Sequence, residues 1–272
     1  MGHPKKSEQD LQAASKLWGL EHAKFVSETP RAIVYKVHYK GGHAALKIAN
    51  TQIKTGEEHA AALYHLWNGQ GAARLLQASA NLLLLEWLDG PDLTHLPNNG
   101  KDTEACEIIA TTAQKLHRFT PSKDLTKLGE LLSSLLTDTG PDTDINRAKE
   151  LAKAKLAHPK EPAVLHGDLH HENIRQSSRG WLAFDPKGVL GDPVYDVARA
   201  MLNPIGISEG LATPALMQTR ADCYARAFGV ESRTVLEWAC IDAAISVIWA
   251  EQDGHPSTER RVLLSLLLSL CR

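Results

Sequence analysis

The sequence predicts an α+β protein of two lobes, a small mixed N-lobe with an antiparallel sheet over residues 1–88 and a larger, mainly helical C-lobe over residues 89–272. Three observations predict it. Two pairs of short apolar runs separated by turn residues, 33–39 with 44–49 and 74–78 with 81–87, read as hairpins. Apolar residues recur at helical spacing through most of the chain after Thr103. Between these helical stretches, residues 163–196 place a polar loop between extended runs, which is the pattern of a site and not of a core.

Composition narrows the class. A chain of 272 residues with 43% hydrophobic and 23% charged residues can bury a substantial globular core. Its net charge of −2 and pI near 6.7 supply no attraction for nucleic acid. Cys106, Cys223, Cys240 and Cys271 have no paired spacing, which argues against a zinc site or a disulfide framework and fits the reduced thiols of a cytoplasmic protein. Residues 1–10 are polar, unlike a signal peptide, and the most apolar segment, 262–270, is too short to span a bilayer, so no membrane partner is expected.

In chain order, residues 8–22 form an amphipathic helix through Leu11, Ala14, Leu17 and Trp18, suited to pack on the first sheet. Ser27, Glu28, Thr29 and Pro30 make a loop, and the strands 33–39 and 44–49 follow around Lys40-Gly41-Gly42, whose glycines can take positive φ. On the returning strand Lys47 lies between Leu46 and Ile48, so its side chain points to the opposite face. A helix over 56–67, closed by Asn68-Gly69-Gln70-Gly71, carries Glu57 and Glu58 in its first turn, and Glu58 shares a face with Ala62 and Leu66. The run 81–87 is almost continuously apolar and therefore central. Glu86 to Leu88 and the Asp89-Gly90-Pro91 break suit a linker between lobes.

Helices are predicted over 103–119, 125–136 and 145–156. The loop 137–144 holds Asp138, Asp142 and Asp144 but lacks the glycine and terminal glutamate of a calcium loop, so it reads as solvated. The apolar run 163–165 drops into a loop with His166, Asp168 and Asn173, a second extended run starts at Asn173 and Ile174, and 181–184 returns as a strand ending on Asp185. Strand ends thus bring two carboxylates and an amide oxygen to one cleft. Asp192 and Pro193 open a helix over 197–202, and helices over 213–228, 231–253 and 257–272 complete the chain.

That set of oxygens suits one kind of chemistry. Mg²⁺ prefers oxygen ligands and keeps coordination positions for phosphates, so Asn173 and Asp185 match what a protein supplies to it. Asp168 is then left to accept a proton from a hydroxyl. Asp168-x4-Asn173 followed by a strand-borne aspartate is the order of a kinase catalytic loop and metal-binding aspartate, with His-Gly-Asp for His-Arg-Asp and Asp-Pro-Lys-Gly for Asp-Phe-Gly. Leu-His-Gly-Asp-Leu-His-His-Glu-Asn followed by Gly-Trp-Leu-x-x-Asp-Pro-Lys-Gly resembles the aminoglycoside phosphotransferase superfamily, and within it the streptomycin/hydroxyurea phosphotransferase branch.

The resemblance implies a bilobal, protein-kinase-like fold and ATP- and Mg-dependent transfer of the γ-phosphoryl group to a small-molecule hydroxyl, on a streptomycin-like aminoglycoside or hydroxyurea. It implies Asp168 as the catalytic residue, Asn173 and Asp185 as metal ligands, and Lys47 on the α- and β-phosphates, held there by Glu58 or by Glu57. Thr29 and Ser27 would contribute to the phosphate-covering loop, which has no Gly-x-Gly, and the backbone from Glu86 to Leu88 would face the adenine edge. His166 and Asp196 would support the catalytic loop, while His170 and the carboxylates Glu251 and Asp253 after Trp249 would contact substrate. His170 and His171 have no third ligand at a spacing that suits zinc. Two other readings stay open, a metabolite kinase of the same fold and a non-catalytic nucleotide-binding module; the presence of Lys47, Asp168, Asn173 and Asp185 together counts against the second.

Overall fold

The computed structural model describes residues 3–50, 59–120, 125–204 and 213–271. Its N-terminal part runs α1 (His3–Trp18), β1 (Glu21–Glu28), β2 (Ala32–Tyr39), β3 (Gly42–Ala49), α2 (Ala60–Trp67), β4 (Leu75–Ser79) and β5 (Leu82–Glu86). The strands form an antiparallel sheet in the order β1-β2-β3-β5-β4. Alternation along the strands sorts the side chains into two cores. Val37, Ala44, Leu46, Ile48, Leu82 and Leu84 pack with Leu11, Ala14 and Trp18 of α1, as the sequence predicts, whereas Leu17, expected on the same face, is exposed. Leu83 and Leu85 face the other way and join Leu63, Tyr64 and Trp67 of α2 in the larger core. Lys47 pairs in register with Val34 and Leu83, so it emerges on this second face.

One element in this lobe differs from expectation. The first helix ends at Trp18, and residues 21–28, expected as helix end and loop, form β1. Every β1 residue is exposed, so the strand has no inside and outside to write into its sequence; backbone pairing with β2 holds it, with irregular register at Glu21/Lys24 and Phe25/Ser27.

Beyond β5 the chain continues as α3 (His95–Asn98), α4 (Asp102–Leu116), β6 (Thr126–Lys127), α5 (Leu128–Leu131), α6 (Ser133–Thr137), α7 (Thr143–Ala157), β7 (Ala163–Leu165), β8 (Ile174–Ser177), β9 (Gly180–Ala183), β10 (Val189–Gly191), α8 (Val194–Met201), α9 (Pro214–Phe228), α10 (Ser232–Gln252) and α11 (Thr258–Leu270). The helix expected over 125–136 is broken: Thr126 and Lys127 pair in parallel with β10, and two single turns follow. In the 137–144 loop Asp142 caps α7, accepting the amides of Asp144 and Ile145 at 2.9 Å each, which accounts for it without calcium. All four cysteines are buried free thiols. Among the described residues no helix is long and apolar enough to cross a membrane.

The β8–β9 hairpin positions the site. Ala73 N–H donates to Ala183 O and Ala183 N–H to Gly71 O, each at 2.9 Å, while Gly90 N–H donates to Gln176 O at 3.1 Å and Gln176 N–H to Pro91 O at 3.0 Å. Gly90 is required there, since a Cβ would stand 2.5 Å from Gln176 O. The hairpin is thus joined to the chain on both sides of β4 and β5.

Candidate active site

The loop after β7 is held from below by a single carboxylate. Asp196, 1% exposed in the first turn of α8, accepts the His166 amide on Oδ2 and the Gly167 amide on Oδ1, each at 2.8 Å. His117, at the end of α4, lies 2.9 Å from the same Oδ2 through its Nε2. Gly167 has φ +81°, and a Cβ would meet Val189 Cγ2 at 2.8 Å, so the middle position of His-Gly-Asp has no room for a side chain. The His166 ring donates from Nε2 to Phe184 O at 2.9 Å and accepts the Asp168 amide on Nδ1 at 3.3 Å. Burial drives its pKa below the usual histidine value, so the ring is a neutral brace between the loop and the end of β9.

A cleft of about 790 Å³ opens above this loop, and Lys47, Asp168, Asp185 and Lys187 are among its lining residues. Asp185 has φ +63°, a left-handed conformation that costs a non-glycine residue roughly 1–2 kcal/mol. The Asp185 amide donates to the Tyr64 hydroxyl at 2.9 Å, Lys47 pairs with Oδ1, and Lys187 Nζ is 3.4 Å from Oδ2. Burial raises the Asp185 pKa, but the two ammonium groups outweigh it and hold the carboxyl well below the ordinary range. Asp168 follows the same rule: burial pushes it up, and Arg199 leads the cations that bring it below the ordinary value.

Asn173 does not line the cleft. It lies 8% exposed just behind, its amide nitrogen donating to Asp168 O at 2.9 Å and facing His170 Nε2 at 3.1 Å. The amide oxygen is therefore the group it has left for a cation. His170, expected at the substrate, backs Asn173 instead; burial lowers its pKa to about 4 and keeps the ring neutral.

The remaining expected residues divide. Thr29 lines the cleft, but its hydroxyl accepts the Arg31 and Ala32 amides at 3.2 and 3.1 Å, so it builds the β1–β2 turn and does not reach outward. Glu86 and Leu88 line the cleft beside Trp87; the Glu86 carboxylate is engaged elsewhere, accepting the Arg74 amide at 2.8 Å and pairing with Arg179. Asp253 lines the cleft, whereas Glu251 does not: it pairs with Arg261 at 2.7 Å and accepts the Ser257 hydroxyl at 2.6 Å, a surface bracket between α10 and α11. Glu57 and Glu58 lie outside the described residues.

Sequence reasoning missed Tyr64, His117, Lys187 and Arg199. Lys187 sat inside the quoted Asp-Pro-Lys-Gly motif and could have been found there; the others act across α2, α4 and α8, which only the assembled fold brings to the loop.

A family model described as aminoglycoside/hydroxyurea antibiotic resistance kinase matches residues 17–254. The chain is 36% identical over 218 residues to a streptomycin 3''-kinase from Klebsiella pneumoniae, covering 78% of this chain and 81% of that one. It is 28% identical over 267 residues to a hydroxyurea phosphotransferase from Kitasatospora aureofaciens, covering 92% and 75%. Among solved structures, amicoumacin kinase hAmiN in complex with AMP-PNP, Ca²⁺ and Ami superposes with a TM-score of 0.67 at 17% identity, covering 99% of this chain and 96% of that one. The fold is the bilobal, protein-kinase-like one.

Proposed function

Because the chain belongs to the aminoglycoside/hydroxyurea antibiotic resistance kinase family and is a phosphotransferase acting on small-molecule hydroxyls, we propose that it transfers the γ-phosphoryl group of ATP to a streptomycin-like aminoglycoside or to hydroxyurea. The observation that carries the reading is the convergence of Lys47, Asp168 and Asp185 on one cleft. In it Asp168 orients the acceptor hydroxyl and takes its proton, Lys47 holds the α- and β-phosphates, and the linker backbone from Glu86 to Leu88, where the two lobes divide, faces the adenine.

The residues present fit a magnesium ion. Both oxygens of Asp185 already face ammonium groups, so the position is built for positive charge, and the carboxylate of Asp185 with the amide oxygen of Asn173 is a hard donor set. When bound, the ion supplies charge neutralisation on the phosphates. The chain itself contributes placement, through a loop fixed by Asp196 and His166, and cationic charge from Lys47 and Lys187.

The test is turnover of MgATP with a panel of streptomycin, hydroxyurea and non-antibiotic metabolites bearing alcohols, the phosphorylated product being identified by mass. Asp168→Asn is expected to lower kcat about 10²- to 10⁴-fold with ATP binding retained. Unchanged turnover in that variant would remove Asp168 from its role.

A further inference from the structure

Helix α8 delivers two side chains to one loop. Asp196 and Arg199 are three residues apart and share a face. Asp196 grips the backbone at His166 and Gly167, and Arg199 reaches the next residue, its Nε donating to Asp168 Oδ1 at 3.0 Å. Arg199 is itself anchored from α10: Nη1 donates to Ser246 Oγ at 2.9 Å and to Asp242 Oδ2 at 3.3 Å. Asp242, 2% exposed, accepts a further bond from the Tyr195 hydroxyl at 2.9 Å. Tyr195 with Arg199, and Asp242 with Ser246, are each spaced by four residues, so the two helices meet along one rigid seam.

We propose that Arg199 is the positioning residue for the proton acceptor, fixing the Asp168 carboxylate by one oxygen so that the other is aimed at the incoming hydroxyl. The inference rests on the role given to Asp168 above. A purely structural arginine would be satisfied by Asp242 and Ser246 behind it; the third bond, to a carboxylate that lines the cleft, is the one the packing does not need. His170 Nε2 stands 3.8 Å from Asp168 Oδ1, beyond a hydrogen bond, and the neutral His166 ring meets Asp168 through its backbone amide, which Nδ1 accepts at 3.3 Å, and not through its carboxylate. The planar guanidinium suits the task, because its fork presents Nε to the catalytic loop and Nη1 to α10 at a fixed angle, where a lysine ammonium is a single point of charge.

The test uses the full chain. Arg199→Met removes the clamp, and Arg199→Met with Asp242→Asn removes it without leaving the buried Asp242 charge unpaired, which is expected to keep the fold where the single variant loses it. In a crystal structure of either, the Asp168 carboxylate is expected to swing from its wild-type position by more than about 1 Å, a displacement that can cost about 100-fold in rate. With the best acceptor of the panel, or with water if none is turned over, kcat should fall by about that factor while KM for ATP stays within about threefold, and guanidinium ion should restore turnover in Arg199→Ala. An Asp168 carboxylate that keeps its place, or loss of ATP binding in step with kcat and no rescue, overturns the inference. The two readings fail separately: an active Asp168→Asn variant removes the role of Asp168, whereas an inactive Asp168→Asn beside a fully active Arg199→Met removes only the clamp.

Discussion

Lys47 and Lys187 hold opposite oxygens of Asp185, and in the proposed reaction their ammonium groups offset the charge of the phosphates. Removing one such donor from a preorganised site typically costs 10²–10³ in kcat. Lys47→Met should therefore lower kcat by about 10²–10³ in steady-state assays, with little change in melting temperature, because its aliphatic stem remains on the sheet. A different residue adds to the acid sensitivity of the fold. His171 is fully buried, and among the described residues neither ring nitrogen has a hydrogen-bond partner. Burial lowers its pKa to about 3. An unfolded histidine takes up a proton near pH 6.5, so below that pH the unfolded chain binds more protons than the native one and stability falls with acidification, by about 1.4 kcal/mol per pH unit until the folded value is approached. Melting temperature measured from pH 6.5 to 4 should drop less steeply in His171→Leu than in the wild type; parallel curves would refute this. That Asp168 and Asp185 reach one cleft was legible in the sequence because they stand a short way apart on either side of one hairpin, whereas Asn173, expected beside them, lies just behind. Arg199, Tyr64 and His117 were not, since their partners lie 31, 121 and 79 positions away.

At the scale of elements, α8 is the support of the site. Its sequence signal, Asp-Pro-Val-Tyr-Asp, pointed to a helix start, while the supporting role of Asp196 came from the family resemblance; Asp192 does accept the Val194 amide at 2.9 Å, though the helix begins at Val194 and not at 197. In Asp196→Asn one carboxylate oxygen becomes an amide nitrogen, leaving a buried backbone N–H without an acceptor. The loss is expected to be about 1–3 kcal/mol in denaturant unfolding, together with a lower kcat from a loosened loop. The strands β2 and β3, and β5 with both faces buried, were legible through alternation or apolar runs. The fully exposed β1 carried no such pattern, and β6 and β10, two and three residues long, owe their form to pairing with each other and with β7.

Across the whole molecule, the two cores divide the labour. One binds α1 to the outer face of the sheet; the other runs unbroken from α2 and the inner sheet face into the helices, so the lobes share buried side chains. The bilobal plan was legible from the change from paired apolar runs to helical spacing along the chain. The shared core was not, because nothing in the apolar run 81–87 says that Leu83 and Leu85 face α2 while Leu82 and Leu84 face α1.

The stitching of the β8–β9 hairpin to residues 71–73 and 90–91 constrains how the enzyme breathes. With Asp185 at the end of a strand bonded to residues 71–73, parting the cleft there would break two backbone bonds, so the exposed β1–β2 tip around Thr29 to Arg31 is expected to lift first. Hydrogen exchange should find the amides of Ala73, Gly90, Gln176 and Ala183 slow whether or not ATP is present, and those of residues 27–32 quick until nucleotide arrives.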